Sequence, residues 1–228
     1  MKRVLLCVVM VLCALPLAAQ QITKDTFHYA TTEGVELYLD RYTAAESVDE
    51  PKPAMIFAFG GGFVGGCRDR DFYQPYFHHL AKCGIVVVSI DYRLGLKNLP
   101  KDVGMVDMIG YLSNAVNIAV EDMYSATNFL IANAEEWGID PTKIMVSGSS
   151  AGAITALQAE WFRDQGAERA KVLPEGFRYA GVVSCAGALF STGGKPKFSG
   201  DAAPMLLFHG TSDSNVPYDS ASVMGIGF

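Results

Sequence analysis

The chain has 228 residues, of which 50% are hydrophobic and 18% are charged. This composition is typical of a globular domain and excludes a disordered segment, and the length suits one domain. The formal net charge is −6, and no basic stripe interrupts the acidic balance. A partner with a phosphate backbone would be repelled, so we expect no nucleic-acid partner.

Residues 1–20 have the pattern of a secretory signal peptide. A positively charged start precedes an uncharged apolar run over residues 4–15, and small residues follow. The alternative is a transmembrane anchor, but the run is shorter than the roughly 20 apolar residues that a spanning helix needs. We therefore expect cleavage after Ala19 or Gln20, a secreted or periplasmic mature chain over residues 21–228, and no stable membrane anchor.

Apolar runs alternate with helical patterns along the mature chain, which predicts an α/β fold with a mostly parallel sheet and helices on both faces. The first segment, residues 27–42, is a predicted hairpin with its turn at residues 31–34. Apolar runs typical of buried strands follow at residues 54–59, 85–90, 143–147, 181–186 and 205–209. Helices are predicted at residues 72–82, 119–137 and 151–163. Several Gly and Pro residues leave the segment 94–117 without a clear pattern.

A G-x-S-x-G motif at residues 148–152 stands between a predicted strand and a predicted helix. In that context the motif forms a sharp turn that exposes the serine hydroxyl above the sheet. A serine hydroxyl is a poor nucleophile near neutral pH, so it needs a base, an acid and donors for the oxyanion. We predict Ser150 as the nucleophile. We also predict the amide of Ala151 as an oxyanion donor, because a helix begins there and its positive end favours negative charge.

Three consecutive glycines, Gly60 to Gly62, follow directly on the strand predicted at residues 54–59. Without Cβ atoms, backbone amides can turn toward a ligand. We predict Gly61 and Gly62 as further oxyanion donors, and the alternative is an ordinary tight turn. The loop matches neither a phosphate-binding loop nor a dinucleotide-binding motif. We expect no cofactor and no metal.

Asp213 follows the strand predicted at residues 205–209 and is the predicted acid of the site. The expected order along such a chain is serine, acid, then histidine. The four histidines, His28, His78, His79 and His209, all precede Asp213. His209 belongs to a strand end, and we expect it to be structural rather than the base.

These motifs, together with the Asp-Tyr-Arg-Leu run at residues 91–94, stand in the order seen in α/β-hydrolase carboxylesterases. The chain resembles the hormone-sensitive-lipase-like and feruloyl-esterase-like branches over residues 54–218. One departure is Phe59, which stands where the family's oxyanion loop has histidine. The resemblance implies a serine esterase that forms an acyl-enzyme on small-molecule esters, with acyl or feruloyl esters of carbohydrates as expected substrates.

The resemblance also implies a base histidine a few tens of residues beyond Asp213. On that basis residues 21–228 are expected to be a domain truncated at its C-terminus, without its last strand and helix and nearly inactive. Two other functions stay open. A serine peptidase of the prolyl-oligopeptidase type has a similar acid motif, and a non-catalytic α/β-hydrolase-fold binding protein would need no base.

Three further expectations concern supporting residues. The resemblance suggests that Arg93 braces a strand end by reaching Glu121 or Asp122. The alternating charges of residues 68–71 are expected on a solvated surface. The mature chain has Cys67, Cys83 and Cys185, which match no disulfide or metal framework and are expected to be buried free thiols. The alternative is a Cys67–Cys83 bridge, which export would permit.

Overall fold

The computed structural model describes residues 21–45, 50–100, 102–191, 195–219, 222–223 and 226–227, so the predicted signal peptide lies outside the described residues. The strands are β1 Ile22–Thr32, β2 Val35–Ala44, β3 Lys52–Ala58, β4 Val86–Ile90, β5 Ile139–Ser149, β6 Gly181–Cys185, β7 Met205–Phe208, β8 Ser222–Val223 and β9 Ile226–Gly227. The helices are α1 Gln74–Lys82, α2 Met105–Ala132 and α3 Ala151–Asp164, with short 3₁₀ turns at Asp71–Tyr73 and Glu168–Val172.

Seven strands form one sheet in the order β1-β2-β4-β3-β5-β6-β7. The pairs β1–β2 and β2–β4 are antiparallel, and the four pairs from β4 to β7 are parallel. The predicted α/β class with a mostly parallel sheet is confirmed. Because parallel strands end at the same sheet edge, the loops after β3, β5, β6 and β7 meet there.

The first hairpin forms as predicted, and its turn can be placed at two residues. Glu33 and Gly34 have φ values of 54° and 79°. Two central residues with positive φ are typical of the type I′ turn, whose twist matches that of the flanking strands. The hairpin therefore joins the sheet through β2 as an antiparallel extension of the parallel strands.

Helix α2 begins and ends earlier than the predicted bounds of 119–137. It begins at Met105 and ends at Ala132, and Gly110 lies inside it on an exposed position. A glycine costs roughly 1 kcal/mol there relative to alanine. The buried Ala115 and Val116 continue the apolar face toward the N-terminus, and burial of this face outweighs the cost of the glycine. Gly138, with φ 60°, then turns the chain into β5.

The last strand of the sheet is the most open part of the described fold. Within the described residues β7 pairs with β6 alone, and Leu206, Leu207 and Phe208 are 54%, 61% and 54% exposed. By contrast, every residue of β4 is buried. In the described part of the chain, no helix combines the length and the apolar character needed to cross a membrane.

The three described cysteines are free thiols, as expected, but their predicted burial is wrong for two of them. Cys67 and Cys83 are exposed, and Cys185 is partly buried at the end of β6. Cys67 lies in the loop that follows the glycines, and Cys83 caps α1, so neither faces the core. Burial raises the pKa of the Cys185 thiol.

Candidate active site

Ser150 stands at a strained turn between β5 and α3. Its φ of 51° and ψ of −119° lie outside the regions that a serine normally adopts, at a cost on the order of 1–3 kcal/mol. Glycines make the turn possible. A Cβ at Gly148 would lie 2.2 Å from the carbonyl carbon of Gly152, and one at Gly152 would lie 2.0 Å from the Ala58 carbonyl oxygen. The geometry is that of the exposed serine turn which the motif predicts.

Neighbouring elements hold this turn on both sides. The amide of Ser150 donates to the carbonyl of Cys185 at 2.8 Å, and the Ser150 carbonyl accepts from the amide of Ile154 at 2.9 Å. The first bond ties the turn to the end of β6 and the second ties it to the first turn of α3. The strained backbone is therefore fixed by two elements rather than by the turn alone.

The glycine loop is anchored at its start by two tyrosines. The hydroxyl of Tyr92 donates to the Phe59 carbonyl at 2.7 Å, and the amide of Gly60 donates to the hydroxyl of Tyr73 at 3.0 Å. Tyr73 and Tyr92 are both buried. No sequence motif marks Tyr73, which stands at the beginning of a helical segment, so sequence reasoning missed its role.

The next two glycines have backbone conformations that favour glycine. Gly61 has φ 156°, and a Cβ there would lie 1.8 Å from the carbonyl oxygen of Gly65, while Gly62 has φ 62° and a Cβ there would meet only a methyl group of Val64, at 3.9 Å. Among the described residues, no acceptor pairs with the amide of Gly61 or Gly62, or with that of Ala151 at the start of α3. Unpaired amides beside a helix N-terminus can bind a developing oxyanion.

A pocket of about 400 Å³ brings most of the predicted site together. Its wall includes Gly62, Ser150 and Ala151. Apolar side chains complete the wall, together with the loop after β7: Phe63, Leu112, Ile154, Ala188, Val216 and Pro217. Two predicted residues, Gly61 and Asp213, do not line the pocket. Gly61 directly precedes the lining residue Gly62, and Asp213 lies two positions before the lining residue Asn215. Their catalytic roles stay predictions.

Asp213 shapes the loop that faces this pocket. Its Oδ1 accepts hydrogen bonds from the amides of Asn215 at 2.9 Å and Val216 at 3.0 Å. These two amides, that of Val216 foremost, hold the pKa of Asp213 below its usual value, so the side chain stays ionised near neutral pH. Asn215 and Val216 both line the pocket of Ser150. The ionised Asp213 therefore lies in the loop whose residues face Ser150 across the pocket.

His209 has a structural contact that fits the sequence expectation. Its Nε2 lies 2.8 Å from the carbonyl oxygen of Val216, so that nitrogen carries a proton and donates it. The same nitrogen lies 3.7 Å from Oδ2 of Asp213. Among the described residues that line the pocket of Ser150, none is a histidine.

Two ion-pair groups brace the strand ends near the site. Arg93 is buried and binds Asp122 through Nε at 3.0 Å and Glu121 through Nη2 at 3.2 Å, which confirms the expected bracing. Arg68 binds Asp40 at 3.1 Å and Asp91 at 2.5 Å, with 21% of its side chain exposed. The expectation of a solvated surface is therefore wrong for Arg68, because two carboxylates from β2 and the end of β4 enclose it.

The side chains that the structure describes do not form a metal-binding site. Among residues that the structure describes, no three His, Cys, Asp or Glu side chains lie close enough to hold an ion. The reactive groups at the pocket are a serine hydroxyl on a strained backbone, unpaired backbone amides and an ionised carboxylate in the neighbouring loop.

The mostly parallel sheet and the strained serine turn between β5 and α3 together define an α/β-hydrolase fold. The family model described as BD-FAE matches residues 39–168. The chain belongs to that family.

Two proteins with similar sequences are an acetylcholinesterase and a fumonisin esterase. Acetylcholinesterase of Gallus gallus is 34% identical over 117 residues, which are 51% of this chain and 14% of the relative. Fumonisin B1 esterase of Sphingopyxis macrogoltabida is 30% identical over 128 residues, covering 51% of this chain and 21% of the relative. The chain thus spans a quarter or less of the length of these curated relatives.

Among solved structures, esterase 2 of Thermogutta terrifontis with propionate bound is 26% identical with a TM-score of 0.66. The match covers 86% of this chain and 74% of that chain. The same esterase phosphorylated by paraoxon is 25% identical with a TM-score of 0.65, over 86% of this chain and 73% of that chain.

Proposed function

We propose that the protein is a serine hydrolase that cleaves carboxylic esters through an acyl-enzyme. The observation that carries this proposal is the strained backbone of Ser150 at the head of α3, facing a pocket with unpaired amides. Strain of this kind persists only where the surrounding structure fixes it, and it is concentrated at functional sites. A binding protein without catalysis would have no need of it.

In the proposed reaction, Ser150 Oγ attacks the ester carbonyl carbon and gives its proton to a base. The carbonyl oxygen becomes negative, and the amides of Ala151, Gly62 and Gly61 donate to it. Collapse of the tetrahedral intermediate expels the alcohol, which takes the proton, and leaves the acyl group on Ser150. Water then attacks in the same way and releases the acid. Asp213 orients the base and stabilises its charged form.

The base is the one part that the described residues do not supply, since no histidine among them lines the pocket. Asp213 still offers Oδ2, the oxygen that takes no backbone amide. We expect the 228-residue chain to be nearly inactive as an esterase, because only the roughly 10³–10⁴-fold catalysis over water that the oxyanion donors and the pocket supply would remain.

The pocket wall supports a small apolar acyl group as the substrate part next to Ser150. Phe63, Leu112 and Ile154 line it, and no charged side chain does so among the described residues. The similar esterase 2 of Thermogutta terrifontis was solved with propionate and with butyrate bound. A feruloyl ester or an acylated carbohydrate remains a proposed substrate on the grounds of the family, and export remains a proposal based on residues 1–20.

Labelling with paraoxon tests the proposal on the chain as it is. Paraoxon should phosphorylate Ser150, and added imidazole should speed the reaction by about tenfold or more, because it supplies the missing base. Peptide mass spectrometry locates the adduct. Ser150→Ala should abolish it, while the matched variant Ser149→Ala should label normally. Labelling elsewhere, or none with imidazole, would contradict Ser150 as the nucleophile.

A further inference from the structure

A second, larger cavity lies on the flank of the domain. It has a volume of about 610 Å³, within the range of small-molecule sites, and lies between α2, α3 and two described stretches, residues 190–191 and 195–197. It shares no lining residue with the pocket of Ser150. The two are nevertheless adjacent on the same helix, since Ile154 lines the first and Gln158, one turn further along α3, lines the second.

The charged residues that line this flank cavity are all cations. Arg169, Lys195 and Lys197 line it, and none of the described lining residues is acidic, although the whole chain carries a net charge of −6. Arg169 is paired with Glu121 at 3.1 Å. Neither Lys195 nor Lys197 forms an ion pair with a described residue. Two uncompensated ammonium groups at one cavity favour a ligand that carries negative charge.

Side-chain amides in the cavity wall can form hydrogen bonds with the hydroxyl groups of a ligand. Gln158 is 1% exposed, and its Oε1 accepts from the amide of Phe190 at 2.9 Å, which fixes the side chain. Its amide nitrogen has no acceptor among the described residues. This nitrogen is therefore available to donate to a ligand oxygen at the cavity wall. Asn117 on α2 adds a second amide to the wall.

Aromatic rings and a fixed segment complete the cavity. Trp161 and Phe162 line it and offer apolar surfaces that suit the carbon face of a sugar ring. The carbonyl of Lys197 accepts from the indole nitrogen of Trp161 at 3.1 Å and from the side-chain nitrogen Nε2 of Gln165 at 3.2 Å. The backbone that carries Lys197 is therefore held against α3, and its position does not depend on a ligand.

We propose that the flank cavity binds an acidic sugar, with the carboxylate near Lys195 and Lys197, the hydroxyls at Gln158, and the ring against Trp161. The site is independent of the proposed esterase reaction and needs neither Ser150 nor a base. Its place one helix turn from the pocket of Ser150 would hold an acidic carbohydrate chain beside the nucleophile.

Tryptophan fluorescence provides a direct binding test. The chain has two tryptophans, and Trp137 packs against Phe27 and Phe129 away from the cavity. In a Trp137→Phe background, glucuronate should change the emission of Trp161 in a saturable way. The affinity should fall by about tenfold between roughly 0.02 M and 0.5 M salt, because screening weakens the ammonium–carboxylate attraction. Calorimetric titration of the unsubstituted chain measures the same affinity without that substitution.

Matched ligands and variants decide the outcome. Glucose, which lacks the charge, and acetate, which lacks the ring, should each bind at least about tenfold more weakly than glucuronate. The double variant Lys195→Gln/Lys197→Gln should lose about tenfold in affinity, while Lys82→Gln, at the end of α1, should lose none. Equal binding of acetate and glucuronate would show a simple anion site and overturn the proposal. Equal binding by the double variant, or no binding of glucuronate by either method, would also overturn it.

Discussion

The hydroxyl of Tyr73 accepts a hydrogen bond from the amide of Gly60 at 3.0 Å. This bond occupies the first amide of the glycine loop and leaves the amides of Gly61 and Gly62 as the available donors. It also ties the loop to the segment that leads into α1, where Tyr73 packs edge-to-face on Phe57 at 4.8 Å between ring centroids. Tyr73 is therefore a positioning residue for the proposed oxyanion site.

Replacing Tyr73 with phenylalanine tests this positioning. Tyr73→Phe keeps the ring but leaves the Gly60 amide without its acceptor, so the loop should lose its fixed orientation. We expect the imidazole-assisted rate of paraoxon labelling at Ser150 to fall by about tenfold, with little change in the concentration of paraoxon at half-saturation.

Tyr76→Phe is the matched control, because the Tyr76 hydroxyl contacts the Met55 sulfur at 3.4 Å and not the loop. Its labelling rate should equal that of the unsubstituted chain. If Tyr73→Phe also labels at the full rate while both variants melt at the same temperature, the tyrosine does not position the loop.

Alanine substitutions should distinguish the roles of Gly61 and Gly62. In Gly61→Ala the new Cβ would lie 1.8 Å from the Gly65 carbonyl oxygen, so the loop must move. In Gly62→Ala the Cβ meets no atom closer than 3.9 Å, and only the positive φ costs roughly 1–2 kcal/mol. We expect Gly61→Ala to slow Ser150 labelling by about 10²-fold, as loss of an oxyanion donor does. Gly62→Ala should mainly lower the melting temperature, and equal labelling rates in both variants would mean that the loop is an ordinary turn.

Asp213→Asn tests the acid. Asparagine can still accept from the amides of Asn215 and Val216, so the loop should keep its shape while it loses the negative charge. Imidazole that receives the serine proton becomes a cation, which Asp213 would stabilise. We expect the imidazole-assisted labelling rate to fall by about tenfold or more, and the rate without imidazole to change little. An Asp219→Asn variant, with the same charge change in the same segment, should behave like the unsubstituted chain.

The first residues of β5 should make the free energy of unfolding depend on pH. Hydrogen bonds from Thr142, and then the contact with Lys143, lower the pKa of Asp140 to about 2. Because the folded pKa lies below the usual aspartate value of 3.8, the stabilisation is complete above that pH and is lost as the pH falls toward 2. Asp140→Asn should therefore have a lower melting temperature than the unsubstituted chain at pH 7, and the difference should shrink below about pH 4. If the difference in melting temperature stays constant down to the lowest pH at which the protein folds, the ionised Asp140 is not its cause.

Local patterns were sufficient to predict much of the fold and of the candidate site. Continuous apolar runs located the parallel strands because these strands are buried on both faces, as β4 is throughout. The G-x-S-x-G motif located Ser150 because the close approach of α3 to β3 leaves no room for a Cβ at Gly152.

Contacts between distant residues were not predictable from the same patterns. The sequence pattern predicts a start of α2 that is too late, because Gly110 resembles a helix breaker. Only the buried face of the helix shows that this glycine is tolerated. The roles of Tyr73 and Arg68 depend on partners that the fold brings close, such as Gly60 and Asp40. Neither residue has a spacing or neighbour that marks it in the sequence.

The hydrogen bond from the Ser150 amide to the Cys185 carbonyl links the predicted nucleophile to the exposed edge of the described sheet. Cys185 pairs in register with Phe208, and the amide of the next residue, Ala186, donates to the Phe208 carbonyl at 2.7 Å. Fluctuations that separate β7 from β6 would therefore loosen the frame around the serine. The exchange of the Ser150 amide proton with deuterium should then follow the opening of β7 rather than global unfolding, and a ligand that stabilises that strand would slow it.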